Sequence, residues 1–357
     1  MMNLEADLLY KLRDPETAAS YADLRYVSDT EKGISRRRAG KGFMYLLPNG
    51  QRLTDQAEIA RIARLAIPPA WTDVWISPDP SGHIQATGRD DRGRKQYRYH
   101  SDWMACRDQV KFSSLVSFAE SLPRLRDQVD RDLRRPNMPR ERVIASVVWM
   151  LDNTMIRIGN DTYSRENNSF GLTTLRSKHL QIEGSSLRFS FVGKSGQEWK
   201  LKLVDRRIAR ILREIQELPG QQLFQYIGDN GSRRTVSSQD VNDYIRAAAG
   251  SEFTSKHFRT WGGTTLAALL LAQTERPLSK RAAAQALNQT IDVVASRLHN
   301  TRTVCRRCYI HPEVIAAWDE ERLADETAAI RRRFRKPFKG LDTGESLVFR
   351  WLRSRTA

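Results

Sequence analysis

The chain has 357 residues, of which 40% are hydrophobic and 28% charged, a globular composition with length for two or three domains. Lys and Arg number 59 against 42 Asp and Glu, a formal charge of +17, so the expected partner is a polyanion, nucleic acid first. No apolar run approaches the ~18 residues of a membrane span. The beginning of the chain, with Glu5 and Asp7, lacks a signal pattern, and three cysteines (Cys106, Cys305 and Cys308) imply no disulfide framework, so a cytoplasmic, membrane-free protein is expected.

Residues 1 to about 100 read as a small β-rich module. Gly42 to Leu46, Val74 to Ile76 and His83 to Thr87 alternate apolar and polar positions between Gly, Pro, Asn and Asp, the pattern of strands. Arg61 to Ala66 fits a short helix closing at Pro68-Pro69. From Ser101 the period becomes helical. Val116 to Val129 and Arg142 to Ile158 place apolar residues three and four apart, separated by Pro136-Asn137-Met138-Pro139. His179 to Val204 predicts a three-stranded meander. Leu180/Ile182, Leu187/Phe189/Phe191 and Trp199/Leu201/Leu203 alternate, and turns fall at Gly184-Ser185-Ser186 and Gly193-Lys194-Ser195-Gly196. Helices are expected again over 206–217, 239–249, 254–271, 279–298 and 312–333. From Arg331 onward nine Lys/Arg face two acids, which predicts a loosely ordered basic extension.

Four islands carry candidate chemistry. Arg157 lies in Ile156-Arg157-Ile158-Gly159-Asn160 at the end of an apolar helix, followed by Tyr163 and by 168–175. Taken alone, it is a helix-capping arginine. Lys194 sits on a hairpin tip and, taken alone, is a solvated turn residue. Lys256 to Gly262 opens a helix with basic residues, which oppose the helix dipole unless an anion sits there. His257 within it is either a phosphate contact or a histidine satisfied by backbone. The last island runs from Leu298-His299-Asn300-Thr301 to Cys305-Arg306-Arg307-Cys308-Tyr309-Ile310-His311-Pro312. Its Cys and His residues invite a zinc reading, but they lack two closed ligand pairs, so no metal is expected.

In this order the islands resemble the poxvirus-like and bacterial type IB DNA topoisomerases. The resemblance runs over most of the chain. It includes Arg36 to Phe43, Ile67 to Trp71, Gly82 to Asp90 and Gly93 to His100. It implies a nucleophilic Tyr309 that forms a 3′-phosphotyrosyl link, with Arg157, Lys194 and Arg259 as catalytic cations. It also implies Asn300, nine residues before the tyrosine, where viral members carry His. The family usually has Gly before that position and this chain has His299. A one-residue shift turns a helical side chain by about 100°, so Asn300 is the expected residue. Gln96 and Tyr97 match base-contacting positions, and Arg94, Lys95, Tyr99, Tyr163 and Lys256 join them as expected DNA contacts.

The chemistry agrees with the residue types. Guanidiniums stay charged and hold nonbridging phosphate oxygens bidentately. A mobile lysine suits protonation of the leaving 5′ oxygen, and the phosphotyrosine keeps the bond energy, so neither nucleotide nor metal cofactor is expected. A tyrosine recombinase shares this logic but normally has His where Lys256 stands. A non-catalytic DNA-binding protein would need only the charge. The expectation is an α+β clamp of DNA-breaking-rejoining type, monomeric, acting on supercoiled duplex DNA at the nucleoid. It comprises a β-rich N-terminal domain (1–100), a mainly helical catalytic domain with a three-stranded antiparallel sheet (101–335) and a basic tail (336–357).

Overall fold

The period-2 segments of the N-terminal part pair into one antiparallel sheet of five strands. They are β1 (Ile34–Ala39), β2 (Gly42–Leu46), β3 (Thr72–Ile76), β4 (Ile84–Arg89) and β5 (Lys95–Tyr99), in the order β2-β1-β3-β4-β5. The computed structural model describes residues 12, 14–40, 42–91, 93–160, 164, 168–228, 230–250 and 253–355, with the side chains of 109, 110 and 195 left aside. The chain divides into two compact units, Met1–Ser114 and Leu115–Ala357.

In the first unit the inward residues Ile34, Val74, Ile76 and Ala86 pack with Leu53 and with Ile62 of helix α2 (Gln56–Arg64). Asp55 caps that helix by accepting from the Ala57 N–H, so it starts earlier than the apolar spacing suggested. Helix α1 (Pro15–Tyr21) buries Ala18 and Ala19 in a second small cluster with Trp103 and Cys106. These two side chains lie on α3 (Ser101–Leu133), the helix inside which the division into units falls.

The second unit is helical around a small sheet. Helix α4 (Arg140–Thr154) buries Val143, Ile144, Val147, Val148 and Leu151, as its three- and four-residue spacing requires. The meander forms as expected: β6 (Leu180–Glu183), β7 (Ser186–Val192) and β8 (Glu198–Val204) pair in the order β6-β7-β8. Helix α5 (Arg206–Gln216) follows, and then a short hairpin of β9 (Gln225–Ile227) and β10 (Arg233–Thr235) that the sequence reading did not anticipate. Helices α6 (Ser238–Ala249), α7 (Ser255–Leu271) and α8 (Lys280–Leu298) lie within two residues of their expected bounds.

The region expected as one helix over 312–333 is two, α10 (Pro312–Asp319) and α11 (Leu323–Arg333), broken where Glu321 takes a positive φ of 60°. A further short helix, α9 (Arg302–Cys308), precedes them.

The expected loose basic tail is corrected by the structure. Residues Thr343–Arg353 form helix α12, capped by an Asp342/Glu345 box, with Leu347, Val348, Phe349, Trp351 and Leu352 buried. Its basic residues sit among apolar positions at helical spacing, so charge alone misjudged the segment. Among the described residues no helix is long and apolar enough to cross a membrane.

Candidate active site

Helix α4 stops before its apolar pattern does. Met155 adopts the left-handed conformation, φ 57°, and its N–H returns to the Leu151 carbonyl. Arg157 therefore sits in the segment that leaves α4 rather than at a helix end, which corrects the sequence reading. That segment is held by backbone pairing. The Leu172 N–H donates to the Arg157 carbonyl at 2.9 Å and the Thr173 N–H to the Ile158 carbonyl at 2.7 Å. The approach is so close that a Cβ on Gly171 would lie 2.5 Å from the Gly159 nitrogen. The same returning segment ties into the meander, since the Phe170 N–H donates to the Val192 carbonyl at 2.8 Å.

Lys194 opens a one-turn 3-10 segment, Lys194–Gly196, between β7 and β8, and its side chain is exposed. The turn closes through the Gly193 N–H to the Gln197 carbonyl at 2.8 Å. Trp199 of β8 lies against it: a Cβ on Gly193 would stand 2.8 Å from the Trp199 Nε1.

Arg259 projects from the second turn of α7 and is only 3% exposed. It donates to the backbone carbonyls of Met155 and, at 2.8 Å, of Leu298, so it joins the exit of α4 to the end of α8. The Nε of Arg259 is buried without a partner. Burial pushes this guanidinium below its ordinary pKa; the Tyr309 phenol opposes that and the nearby Arg157 charge adds to it. A buried cation held by carbonyls rather than by an acid is receptive to an anion.

Helix α8 ends in a Schellman turn. The Asn300 N–H reaches the Ala295 carbonyl at 2.9 Å and the His299 N–H the Ser296 carbonyl at 3.2 Å. His299 takes the left-handed position, φ 46°, that glycine usually fills. Its ring stacks on Trp199 with centroids 3.9 Å apart and planes 23° apart. Burial lowers its pKa; a hydrogen bond to the Glu198 backbone opposes this, and the charges of Arg259, Arg157 and Arg297 deepen it. Asn300 follows and turns inward: Arg157 Nη2 donates to its Oδ1 at 2.5 Å, while its Nδ2 is buried without a partner.

Tyr309 ends α9. Its backbone is anchored from α7: Thr264 Oγ1 donates to the Tyr309 carbonyl at 3.2 Å and accepts from the His311 N–H at 3.1 Å. Gly263 permits the contact, since a Cβ there would stand 2.7 Å from the Tyr309 carbonyl oxygen. The half-buried ring lies under Arg259, whose Cζ is 4.9 Å from its centroid. Arg157, Arg259, Asn300 and Tyr309 thus meet at one place. Lys194 belongs to the turn that leads into β8, whose Trp199 packs on His299, the neighbour of Asn300.

The flanking side chains have structural settings. Burial pushes Cys305 up to about 11 and His311 down to about 4, so both are neutral near pH 7. His257 accepts from the Thr254 N–H through Nδ1 at 3.0 Å, the backbone-satisfied alternative. Lys256 is exposed on the first turn of α7. Tyr163 lies outside the described residues.

The other expected DNA contacts lie on β5, in the first unit. Lys95, Tyr97 and Tyr99 alternate onto its exposed face, and the two tyrosine rings stack with centroids 5.7 Å apart. Lys95 Nζ pairs with Asp29 at 2.5 Å. Asp90 takes both Arg94, at 2.7 Å, and the Gln96 Nε2, at 2.9 Å. The sequence reading missed these acids, which fix the side chains expected to meet DNA.

It also missed the support behind the site. Arg126 of α3 spans Asp152 of α4 and Glu345 of α12, at 2.8 and 2.7 Å. Glu345 accepts from the Trp261 Nε1 at 3.0 Å, two residues along α7 from Arg259. Acid and base lie far apart in the chain, and no spacing rule links them.

Comparison with known proteins gives a consistent answer. A family model described as eukaryotic DNA topoisomerase I, catalytic core, matches residues 100–333. A second, described as bacterial DNA topoisomerase IB, N-terminal domain, matches residues 42–90. The DNA topoisomerase 1B of Acanthamoeba polyphaga mimivirus is 34% identical over 286 residues, 78% of this chain and 85% of that protein. The DNA topoisomerase 1 of Mycosarcoma maydis is 26% identical over 55% of this chain and 21% of its own length. Vaccinia virus (strain Copenhagen) DNA topoisomerase 1B is 30% identical over 30% of this chain and 34% of its own.

Proposed function

Because the chain belongs to the type IB DNA topoisomerases, we propose that Arg157, Lys194, Arg259, Asn300 and Tyr309 are the residues with which it carries out that family's reaction. The enzyme is an isomerase that relaxes duplex DNA by breaking one strand through a 3′-phosphotyrosyl link and rejoining it.

In this assignment the Tyr309 Oη attacks a backbone phosphorus and loses its proton to water. The new P–O bond to tyrosine forms as the bond to the 5′ oxygen breaks, and Lys194 protonates that oxygen. Rotation of the freed end changes the linking number, and the 5′ hydroxyl reverses the attack. Negative charge grows on the nonbridging oxygens during both steps. Arg157, Arg259 and the Asn300 Nδ2 meet it with donors already in place, each worth roughly 10²–10³ in rate.

The observation that carries the assignment is the pair of buried donors without partners, Arg259 Nε and Asn300 Nδ2, beside two guanidiniums that have no acidic partner among the described residues. A tetrahedral phosphate with its oxygens there would satisfy them. The finer features follow as proposals. The catalytic domain, of DNA-breaking-rejoining type, spans 101–335, most of it in the Leu115–Ala357 unit. Residues 1–100 contribute β5 to a clamp on supercoiled duplex DNA. The protein acts as a monomer at the nucleoid in the cytoplasm.

The test is a covalent adduct. Wild-type protein with a supercoiled plasmid in excess EDTA and no nucleotide should relax it and, on denaturation, leave protein bound to a 3′ end. Tyr309→Phe should bind DNA and do neither. An adduct that persists in the Phe variant, or maps to another tyrosine, refutes the assignment.

A further inference from the structure

The β7–β8 turn that carries Lys194 is short, with Lys194 and Gly196 exposed, and beyond the Gly193–Gln197 bond its own backbone does little to fix the lysine. What fixes it comes from α8. Trp199 fills the space under Gly193, and its ring packs with Phe191, its cross-strand partner, parallel within 5° at 5.8 Å, and with His299 at 3.9 Å. Of the residues in this stack, His299 alone lies outside the meander. It is also adjacent to Asn300, whose carboxamide oxygen Arg157 holds.

His299 occupies a backbone position that favours glycine. At a Schellman C′ position any side chain is strained, so an imidazole there needs a compensating contact. The contacts it has are the Trp199 ring and a hydrogen bond to the Glu198 backbone, both on β8. We infer that His299 is a positioning residue for Lys194: stacked on Trp199, it locks the β7–β8 turn to the end of α8 and sets the lysine relative to Asn300 and the guanidiniums. The inference rests on the reading of Lys194 as the proton donor to the leaving 5′ oxygen.

Two substitutions separate positioning from packing. His299→Gly removes the ring and relieves the backbone, so the fold tolerates it, with a melting temperature within about 5 °C of wild type. His299→Phe keeps a ring to stack and gives up the hydrogen bond to the Glu198 backbone, so it isolates the stack. The measurement is single-turnover cleavage by the full chain, at saturating protein, of a duplex oligonucleotide with either oxygen or sulfur at the 5′ bridging position. Sulfur leaves without a proton, so it bypasses the lysine.

On the oxygen substrate His299→Gly should be slower by roughly 10- to 100-fold, the scale of a 1 Å misplacement. His299→Phe should stay within about threefold of wild type. On the sulfur substrate the glycine variant should recover most of its loss, in parallel with Lys194→Ala. Wild-type rates for His299→Gly, an equal loss on both substrates, or a phenylalanine variant as slow as the glycine one would each overturn the positioning role while leaving Lys194 as the donor. Lys194→Ala without sulfur rescue would instead overturn the reading of the lysine, and the inference with it.

Discussion

Arg157 holds Asn300 by its oxygen. The 2.5 Å bond from Nη2 to Oδ1 leaves the amide nitrogen as the free end, and that nitrogen is buried without a partner. The pairing settles which way the carboxamide faces: its free end is a donor, not an acceptor.

This orientation makes Asn300→Asp more harmful than Asn300→Ala. The aspartate still accepts from Arg157, but its second oxygen replaces a donor with a negative charge facing an anion. Alanine loses the donor and also the oxygen that Arg157 holds, for roughly 10²-fold in single-turnover cleavage, but it adds no opposing charge. Aspartate should be slower than alanine by about a further tenfold at neutral pH. Equal rates for the two variants would mean the amide nitrogen does not face the phosphate.

Arg259→Lys tests the fork. The guanidinium serves the Met155 and Leu298 carbonyls and keeps Nε free, three directions that one ammonium cannot reproduce. Cleavage should fall by about 10²-fold or more, while DNA affinity, set by many phosphate contacts, should change less than tenfold. An affinity loss as large as the rate loss would place Arg259 in binding rather than in chemistry.

Some of the architecture was legible in the sequence and some was hidden, for identifiable reasons. The meander was readable because Leu187, Phe189 and Phe191 alternate on a half-buried face. Strands β1, Ile-Ser-Arg-Arg-Arg-Ala, and β5, Lys-Gln-Tyr-Arg-Tyr, were hard to read: their outward side chains are polar, and only pairing with neighbours makes them strands. Helix α9 escaped because Cys305 is its one buried side chain. Arg157 looked like a helix terminus because Ile156 and Ile158 prolong the apolar pattern past Met155, where a left-handed backbone ends the helix. The candidate site residues came from the family resemblance; spacing alone does not predict that Arg157 meets Asn300, 143 positions away.

Helix α12 yields a stability prediction with a pH signature. Burial alone would raise the Glu345 carboxyl, but the hydrogen bonds and charge of Arg126 carry it below its ordinary value of 4.5. A carboxyl depressed by folding stabilises the protein above its unfolded pKa and loses that contribution as pH falls through the folded one. Glu345→Ala should cost about 3 kcal/mol at pH 7, since it strands part of the Arg126 charge and the Trp261 N–H. The gap in melting temperature between wild type and Glu345→Gln should narrow as the pH drops below 4.5. A gap independent of pH would show that the carboxylate charge contributes nothing. Because Trp261 shares α7 with Arg259, the variants should also lose cleavage activity.

The last prediction concerns the Lys95–Asp29 pair on the face of β5. Lys95 is exposed and beside Tyr97, but its charge is already matched by Asp29 at 2.5 Å. If β5 lies on DNA, the aspartate competes with a phosphate for the ammonium and adds its own repulsion. Removing it frees one cation and deletes one anion at the interface. Asp29→Ala should therefore bind duplex DNA more tightly at low salt, by severalfold, despite losing the Thr87 hydroxyl as a donor to that carboxylate. The plot of log K against log salt should steepen by about 0.9, the increment for one more neutralised phosphate, and the gain should vanish at high salt. Asp29→Asn gives the control, since it keeps an acceptor for Thr87 while releasing the lysine. Weaker binding by both variants at every salt concentration would show that Asp29 holds β5 in the form DNA recognises. An unchanged slope would show that Lys95 does not reach the backbone.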